Sequence, residues 1–266
     1  MTPDDIETAA GRLLEAERSG KQVGLLSLAY PAATMDDGYL VQAALVKRKI
    51  ASGLAVRGWK IGLTSKAMQS TLGIDTPDSG ILFDNMFFAN GDTVPAGRFI
   101  QPRVEAEIAF VMKEPLRGAA VTAEDVLAAT DKVVPALEIL DTRIQRVDAA
   151  TGKTRAIFDT IADNAANAGI VLGDKPAGPR EVDLRWMGAI VARNGEVEET
   201  GLGAGVLDHP AMGIAWLARR LDQYGMAISA GDVVLSGSFI RPIEARPGDR
   251  IVADFGSQGV VSISFA

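Results

Sequence analysis

The sequence predicts an α+β fold in which helices at the N-terminus precede a mostly antiparallel β-structure. Two helical start signals come first, and short segments of near-alternating polarity, separated by Gly, Pro and Asn turns, fill most of the remaining chain. No strand is followed by the glycine fingerprint of a dinucleotide-binding sheet. We therefore expect an N-terminal helical segment at 1–55 packed on a β-rich domain at 56–266, with a single domain over 1–266 as the alternative.

The helices are predicted from their capping residues. Thr2, Thr34 and Thr122 each have an Asp three residues later, as in a capping box, and each precedes a run with helical apolar spacing. The first two helices should end near Gly20 and at 52–53. A fourth helix should begin at Pro210, because proline suits the first turn.

The strands are predicted from apolar alternation and from the turns between them. Asn194-Gly195 fits a two-residue hairpin turn, which joins two of the segments. Candidate strands lie around 57–63, 81–88, 104–112, 133–140, 168–172, 184–193, 196–198, 233–235, 250–255 and 260–265.

Composition restricts the class of partner. The chain has 27 basic and 34 acidic residues among 266, a formal charge of −7, and no basic stripe interleaved with aromatics, so we expect no nucleic-acid partner. It has no cysteine, which excludes disulfides and thiolate chemistry. The acidic N-terminus does not resemble a signal peptide, and no apolar run reaches the roughly 18 residues of a spanning helix. We expect a cytoplasmic protein without a membrane partner.

Three glutamates interrupt apolar segments. Glu105 and Glu107 lie two residues apart in one predicted strand and therefore project from the same face, and Glu138 interrupts a second apolar strand. Burying such charges without a partner costs several kcal/mol or more, so a cation should compensate them. Three carboxylates without cysteine suit a hard divalent ion such as Mg²⁺ or Mn²⁺. Alternatively, they face water or pair with Arg103 or Arg143, and Asp141 could be a fourth ligand or support the others.

Lys60 and Asp78 are the candidate proton-transfer residues. Lys60 lies between Gly58 and Gly62, and a lysine in a partly apolar strand can stabilise an anionic oxygen; a lysine that reaches solvent is the alternative. Asp78 lies in a Pro-Asp-Ser-Gly turn, where it could act as acid, base or water positioner, or serve only the turn.

A second group of candidates could contact a substrate carboxylate. Ser236, Gly237 and Ser238 follow a strand and could offer hydroxyl and backbone N–H groups, although such pairs also form simple bends. His209, the only histidine, precedes Pro210, so we expect a capping or surface role for it rather than catalysis.

The motifs at 58–68, 77–80, 101–110, 135–139 and 163–166 resemble the hydratase and decarboxylase branch of the fumarylacetoacetate hydrolase superfamily, and the likeness spans nearly the whole chain. The resemblance implies a mixed β-roll or barrel like the fumarylacetoacetase C-terminal domain, and assembly into a homo-pentamer or decamer. It implies a divalent ion, Mg²⁺ or Mn²⁺, on Glu105, Glu107 and Glu138, and catalytic roles for Lys60 and Asp78. Substrate contacts are implied for Leu63, Thr64, Asp159, Ser236, Gly237 and Ser238.

The implied substrate is a small 2-oxo or 2-hydroxy dienoate, to which water is added. A far carboxylate would need a basic pocket, for which Arg103, Arg143, Arg241 and the 236–238 loop are candidates. The alternatives are hydration of a shorter dienoate, decarboxylation, hydrolysis of an acylpyruvate carbon–carbon bond, and a non-catalytic scaffold with a stabilising metal. Hydrolysis should require a histidine base, and His209 is poorly placed for that role.

Overall fold

The computed structural model describes residues 1–65, 69 and 76–266. Helices in the described part are α1 Pro3–Ser19, α2 Leu26–Ala29, α3 Met35–Ala51, α4 Ala123–Ala129, α5 Ile157–Ala162 and α6 Pro210–Asp222. Strands are β1 Val56–Gly62, β2 Asp78–Phe83, β3 Phe87–Phe88, β4 Thr93–Val94, β5 Arg103–Met112, β6 Thr130–Leu140, β7 Asn167–Leu172, β8 Gly188–Arg193, β9 Glu196–Leu202, β10 Val233–Leu235, β11 Ile243–Glu244, β12 Arg250–Asp254 and β13 Val260–Phe265. The predicted α+β class is confirmed.

The strands form two mixed sheets. The larger runs β2-β1-β10-β5-β6-β7-β3, with β11 also paired to β5, and the smaller runs β4-β13-β12-β8-β9. Most neighbours are antiparallel, whereas β1 with β10, β3 with β7 and β4 with β13 are parallel. Leu137 of the larger sheet, Ile263 of the smaller sheet and Ile214 of α6 belong to one buried cluster, so α6 and both sheets share the main core.

Capping fixes where the predicted helices begin. In each box the threonine hydroxyl accepts the backbone N–H of the aspartate, and the aspartate accepts the backbone N–H of the threonine. The pairs are Thr2 with Asp5, Thr34 with Asp37 and Thr122 with Asp125. The predicted helix starts at these positions are therefore confirmed.

The N-terminal helices pack against the rest of the chain. Leu13 of α1 and Leu45 of α3 are buried with Ile144 and Phe158, which lie after β6. The proposed boundary at residue 55 stays a prediction. None of the helices in the described ranges is long and apolar enough to cross a membrane.

Two predicted strands are shorter than expected. The segment at 81–88 is divided by a 3₁₀ turn at Asp84–Met86, where the Asp84 carboxylate accepts the backbone N–H of Ala55. Residues 184–187 form a turn in which the Asp183 carbonyl accepts the N–H groups of Trp186 and Met187, so β8 begins only at Gly188. A long-range hydrogen bond at Asp84 and a backbone turn at Asp183 thus accompany the two interruptions of the apolar pattern.

Candidate active site

Three glutamates converge where β5 and β6 pair. Glu105 of β5 lies opposite Glu138 of β6 in the register, and Glu107 is the next residue on the same face of β5. Glu107 and Glu138 are fully buried and Glu105 is partly exposed. One carboxylate oxygen from each lies within 4.8 Å of the others, which confirms the predicted convergence.

The buried carboxylates are short of hydrogen-bond donors. Glu107 Oε2 accepts the backbone N–H of Gly237 at 2.9 Å, but Glu107 Oε1 and both Glu138 oxygens have no hydrogen-bond partner among the described residues. Lys60 Nζ lies 3.3 Å from Glu138 Oε1, close enough for an ion pair. Unpaired buried carboxylate oxygens are costly, and a hard divalent cation that takes oxygen ligands fits them. The donor set therefore suits Mg²⁺ or a similar ion.

Burial and mutual repulsion disfavour ionisation of the three glutamates when no cation is bound. Burial and the nearby Glu138 charge raise the pKa of Glu105 to about 8. Burial and the charges of Glu138 and Glu105 raise the pKa of Glu107 well above its usual range. Burial also raises the pKa of Glu138, although the Lys60 ammonium opposes the change. A bound divalent ion would reverse these shifts by stabilising the ionised carboxylates.

We expect the chelator-treated protein to lose stability as pH rises from about 5 to 8. In this window unfolded glutamates are ionised while Glu105, with its raised pKa, still holds its proton in the folded state. The folded state thus binds more protons, so the free energy of unfolding falls as pH rises. Melting temperatures measured with chelator and with Mg²⁺ check this, because Mg²⁺ should remove most of the decline. A metal-independent profile would contradict it.

Lys60 is buried between the glutamates and Asp78. It lies on β1 opposite Gly80 of β2, is 3 % exposed, and donates a hydrogen bond from Nζ to the Ala165 carbonyl at 3.1 Å. Burial alone would lower its pKa, but the charges of Glu138, Asp78, Glu105 and Glu107 outweigh burial and raise the pKa. Lys60 is therefore a buried ammonium in an acidic site, and it does not reach solvent.

Asp78 faces the same space. It opposes Gly62 in the register, and a Cβ at Gly62 would lie 2.2 Å from Asp78 Oδ1, so a side chain there would displace the Asp78 carboxylate. Asp78 is 2 % exposed, and its Oδ1 has no hydrogen-bond partner in the described part of the chain. Burial raises its pKa although Lys60 and Arg155 oppose the rise. A buried acid and a buried ammonium in one site are an arrangement suited to proton transfer.

The 236–238 loop contacts the cluster through Gly237 and packs against Thr64. Gly237 has φ 114°, and a Cβ there would lie 2.2 Å from Thr64 Oγ1, which places Thr64 beside the N–H that binds Glu107. Ser236 Oγ is buried without a hydrogen-bond partner among the described residues. Ser238 Oγ instead donates to the Ile240 carbonyl at 2.9 Å.

Leu63, which follows β1, takes the left-handed conformation with φ 58°, and its carbonyl accepts a hydrogen bond from Gln69 Nε2 at 2.7 Å. Substrate contacts by Leu63, Thr64 and the 236–238 loop stay predictions.

The carboxylates of Asp159 and Asp141 accept hydrogen bonds from other groups of the protein. The Asp159 carboxylate accepts the N–H and hydroxyl of Ser27 and the N–H of Ala156, the residue that precedes α5, so its implied substrate contact also stays a prediction. Asp141 accepts the backbone N–H groups at 100 and 101, at 3.0 and 2.7 Å. Asp141 is not among the carboxylates that converge with Glu105, Glu107 and Glu138, so the structure does not support it as a fourth ligand.

Two further candidates have structural roles. His209 Nδ1 accepts the N–H of Ala211, which confirms the expected helix cap. Arg143 is buried in an ion pair with Asp163, with Nε 2.6 Å from Oδ1, and it also donates to the Asp163 and Asn167 carbonyls. Arg143 is therefore not a free cation for a substrate.

Asn164 is a site residue that was not singled out individually from the sequence. Its side chain accepts the N–H of Ile81 at 2.8 Å and donates to the Ile81 carbonyl at 2.9 Å, so it joins the 164–166 turn to β2. Asn164, Ala165 and Ala166 all have positive φ, which directs the Ala165 carbonyl to Lys60. The signal available in the sequence was the polar pair Asp163-Asn164 within an apolar segment.

The site thus combines three converging glutamates, two of them fully buried, with a buried lysine and a buried aspartate on one mixed sheet. Residues 59–264 match the family model for the fumarylacetoacetate (FAA) hydrolase C-terminal region. The chain belongs to the fumarylacetoacetate hydrolase family, and the fold implied by the sequence motifs is confirmed.

Three relatives show which members of the family the chain resembles. The chain is 51 % identical to 2-oxo-hept-4-ene-1,7-dioate hydratase of Escherichia coli, over 96 % of each chain. It is 40 % identical to 2-keto-4-pentenoate hydratase of Paraburkholderia xenovorans, over 100 % of this chain and 96 % of that one. The solved structure of 4-oxalocrotonate decarboxylase from Pseudomonas putida G7, complexed with magnesium and adipate, is 34 % identical over 100 % of this chain and 99 % of that one, with a TM-score of 0.94.

Proposed function

We propose that this protein is a divalent-metal-dependent hydro-lyase that adds water to 2-oxohept-4-ene-1,7-dioate and forms 4-hydroxy-2-oxoheptanedioate, in the degradation of homoprotocatechuate. The substrate would enter as its tautomer 2-hydroxyhepta-2,4-dienedioate. The observation that carries the proposal is the 51 % identity to the Escherichia coli hydratase over 96 % of the chain. The convergence of Glu105, Glu107 and Glu138 supports it independently, because the cluster suits a divalent ion.

Glu105, Glu107 and Glu138 would hold the ion, Mg²⁺ or Mn²⁺. The ion, when bound, supplies Lewis-acid stabilisation of negative charge on the C1 carboxylate and the C2 oxygen of the substrate. The N–H of Gly237 holds Glu107 in place, and the Thr64 and Ser236 hydroxyls lie at the same loop, where they can orient the substrate carboxylate.

Lys60 and Asp78 would move the protons. In the first half of the reaction the 2-hydroxy proton leaves oxygen and C5 gains a proton, which converts the 2-hydroxy-2,4-diene into a 2-oxo-3-ene. Water then adds its oxygen to C4, and C3 gains the second proton. The Lys60 ammonium suits stabilisation of the enolate oxygen, and Asp78, with its raised pKa, suits proton exchange with carbon or with the attacking water. The opposite division of these two roles is the alternative.

Two related activities are the second candidates. The 40 % identity to a 2-keto-4-pentenoate hydratase favours a five-carbon substrate, and the TM-score of 0.94 to a 4-oxalocrotonate decarboxylase favours release of CO₂. All three reactions need stabilisation of negative charge on a 2-oxo acid, so the metal cluster alone does not separate them. The assembly into a homo-pentamer or decamer and the cytoplasmic location also stay predictions.

The test uses chelator-stripped protein with 2-hydroxyhepta-2,4-dienedioate, with and without Mg²⁺, and identifies the product by mass. We expect a gain of one water that depends on Mg²⁺. Loss of CO₂ would instead establish a decarboxylase. A rate that is higher with 2-hydroxypenta-2,4-dienoate would move the assignment to the five-carbon hydratase, and bound metal without any turnover would contradict the proposal.

A further inference from the structure

Three arginines lie side by side next to the acidic cluster. Arg103 is on β5, two residues before Glu105 and on the same face. Arg146 donates from Nη2 to the Gln101 carbonyl at 3.2 Å, just before Arg103 in the chain. The backbone N–H of Arg155 donates to the Arg146 carbonyl at 2.9 Å, so these two arginines lie opposite each other in one loop. We call Arg103, Arg146 and Arg155 the arginine cluster.

The arginine cluster has no ion-pair partner among the described residues, although Asp163, Asp159 and Asp78 are near enough to oppose the burial that lowers the pKa of Arg155. All three residues are half-buried, and none forms an ion pair with any residue that the structure describes. Burial, together with the charges of Arg103 and Arg155, lowers the pKa of Arg146 to about 10 even though Asp141 and Asp163 oppose the change. Like charges held together in a partly buried position repel one another, and a bound anion would relieve the repulsion.

The arginine cluster also borders the catalytic groups. Arg103 lies opposite Leu140 in the β5–β6 register, two positions from the pair Glu105 and Glu138. Arg155 Nη1 donates to Thr142 Oγ1 at 2.9 Å, two residues after β6 ends. Two residues along a strand span about 7 Å, so the Arg103 backbone lies that far from Glu105. This distance is comparable to the length of a seven-carbon chain whose first carboxylate lies at the glutamates.

The other arginines proposed from the sequence do not have this position. Arg143 is buried in its pair with Asp163. Arg241 has 81 % of its side chain exposed and pairs with Glu199. Of the arginines predicted to bind a far carboxylate, only Arg103 thus borders the acidic cluster without an ion-pair partner in the described residues, and the fold adds two more from the loop after β6.

We infer that the arginine cluster binds the far carboxylate of a dicarboxylic substrate and thereby sets a preference for a seven-carbon dioate over a five-carbon monocarboxylate. Guanidinium groups bind carboxylates through paired, charge-assisted hydrogen bonds, and half-burial protects such bonds from solvent screening. This inference rests on the proposed function, because it assigns the second end of the same substrate.

The test compares Arg146→Gln with the unmodified protein in two measurements. The first is calorimetric binding, with Mg²⁺, of two unreactive probes, 2-oxoheptanedioate and 2-oxopentanoate. The second is kcat/KM for the two corresponding dienoates. We expect the affinity and kcat/KM for the dioates to fall about 10- to 100-fold, the usual effect of one hydrogen bond to a charged group, and those for the monocarboxylates to stay within about threefold.

Three controls separate this role from a structural one. Arg146→Lys should retain part of the dioate preference, since it keeps the charge but not the paired hydrogen bonds. Arg180→Gln removes an exposed arginine that pairs with Glu124 on the surface and should change neither ratio. Arg103→Gln provides a second variant of the cluster if Arg146→Gln does not fold. The melting temperature of Arg146→Gln should not fall, because one repelling charge is removed.

The outcomes are distinguishable. Equal losses for dioate and monocarboxylate probes in Arg146→Gln and Arg103→Gln would overturn the subsite while leaving the hydratase intact. If the unmodified protein hydrates neither dienoate but binds 2-oxoheptanedioate more tightly, and the variants lose that preference, the proposed function fails and the subsite is supported. Equal affinity of the unmodified protein for both probes would overturn the subsite.

Discussion

Glu107→Gln should reduce metal-dependent turnover about 1000-fold or more and leave a folded protein, since a lost ligand removes several kcal/mol of charge stabilisation. The substituted amide keeps the shape of the side chain but removes one of the three negative charges that hold the ion. Without metal, the variant should be no less stable than the unmodified protein, because burial and neighbouring carboxylates already raise the pKa of Glu107. Calorimetric titration with Mg²⁺, turnover and melting temperature measure the three effects.

Glu196→Gln is the matched control. Glu196 is an exposed residue at the start of β9, outside the glutamate cluster, and its substitution should leave Mg²⁺ affinity and turnover unchanged. Glu138→Gln should reproduce the effect of Glu107→Gln, since both are fully buried members of the cluster. Full activity and unchanged Mg²⁺ affinity in both cluster variants would contradict the metal assignment.

The glutamate cluster could be predicted because strand periodicity determines it. Two carboxylates at positions i and i+2 of one strand must share a face of the sheet. A third carboxylate on another apolar strand joins them if the two strands pair. The sequence did not contain the register that places Glu105 opposite Glu138, which depends on a tertiary pairing of β5 with β6. The long apolar strands were predictable for the same reason, whereas α5, six residues long, lacks a Ser, Thr or Asn cap and was not predicted.

The roles of residues that act through backbone contacts were harder to predict from the sequence. Nothing in an isolated Asn164 or Asp159 shows that its side chain will bind the backbone of β2 or the start of α5. Likewise, Arg143 and Arg103 look equivalent in the sequence, and only the fold shows that Arg143 is neutralised by Asp163 while Arg103 lies beside the glutamates on β5. Pairing of charges is decided by residues distant in the chain, so local patterns contain little information about it.

Lys60→Met should lower kcat about 10²- to 10⁴-fold, the range for loss of a positioned proton-transfer group. It should also lower the free energy of unfolding of the metal-free protein by about 3–5 kcal/mol, because Glu138 and Asp78 lose a buried counter-charge. Lys47→Met, which replaces an exposed lysine on α3, is the control and should retain full activity. A kcat within about tenfold of the unmodified value would contradict a catalytic role for Lys60.

Asp78→Asn, made alone and combined with Lys60→Met, tests whether Lys60 and Asp78 act as one unit. Alone, it should lower kcat by a similar factor without loss of stability, because it removes a buried acid whose pKa burial already raises. The double variant should lose little further activity, since residues of one proton-transfer unit are not additive. It should also regain part of the stability that Lys60→Met loses, because fewer uncompensated carboxylates remain in the site. Independent, multiplying losses of kcat would instead show that the two residues serve separate steps, with the lysine at the substrate oxygen and the aspartate at carbon or water.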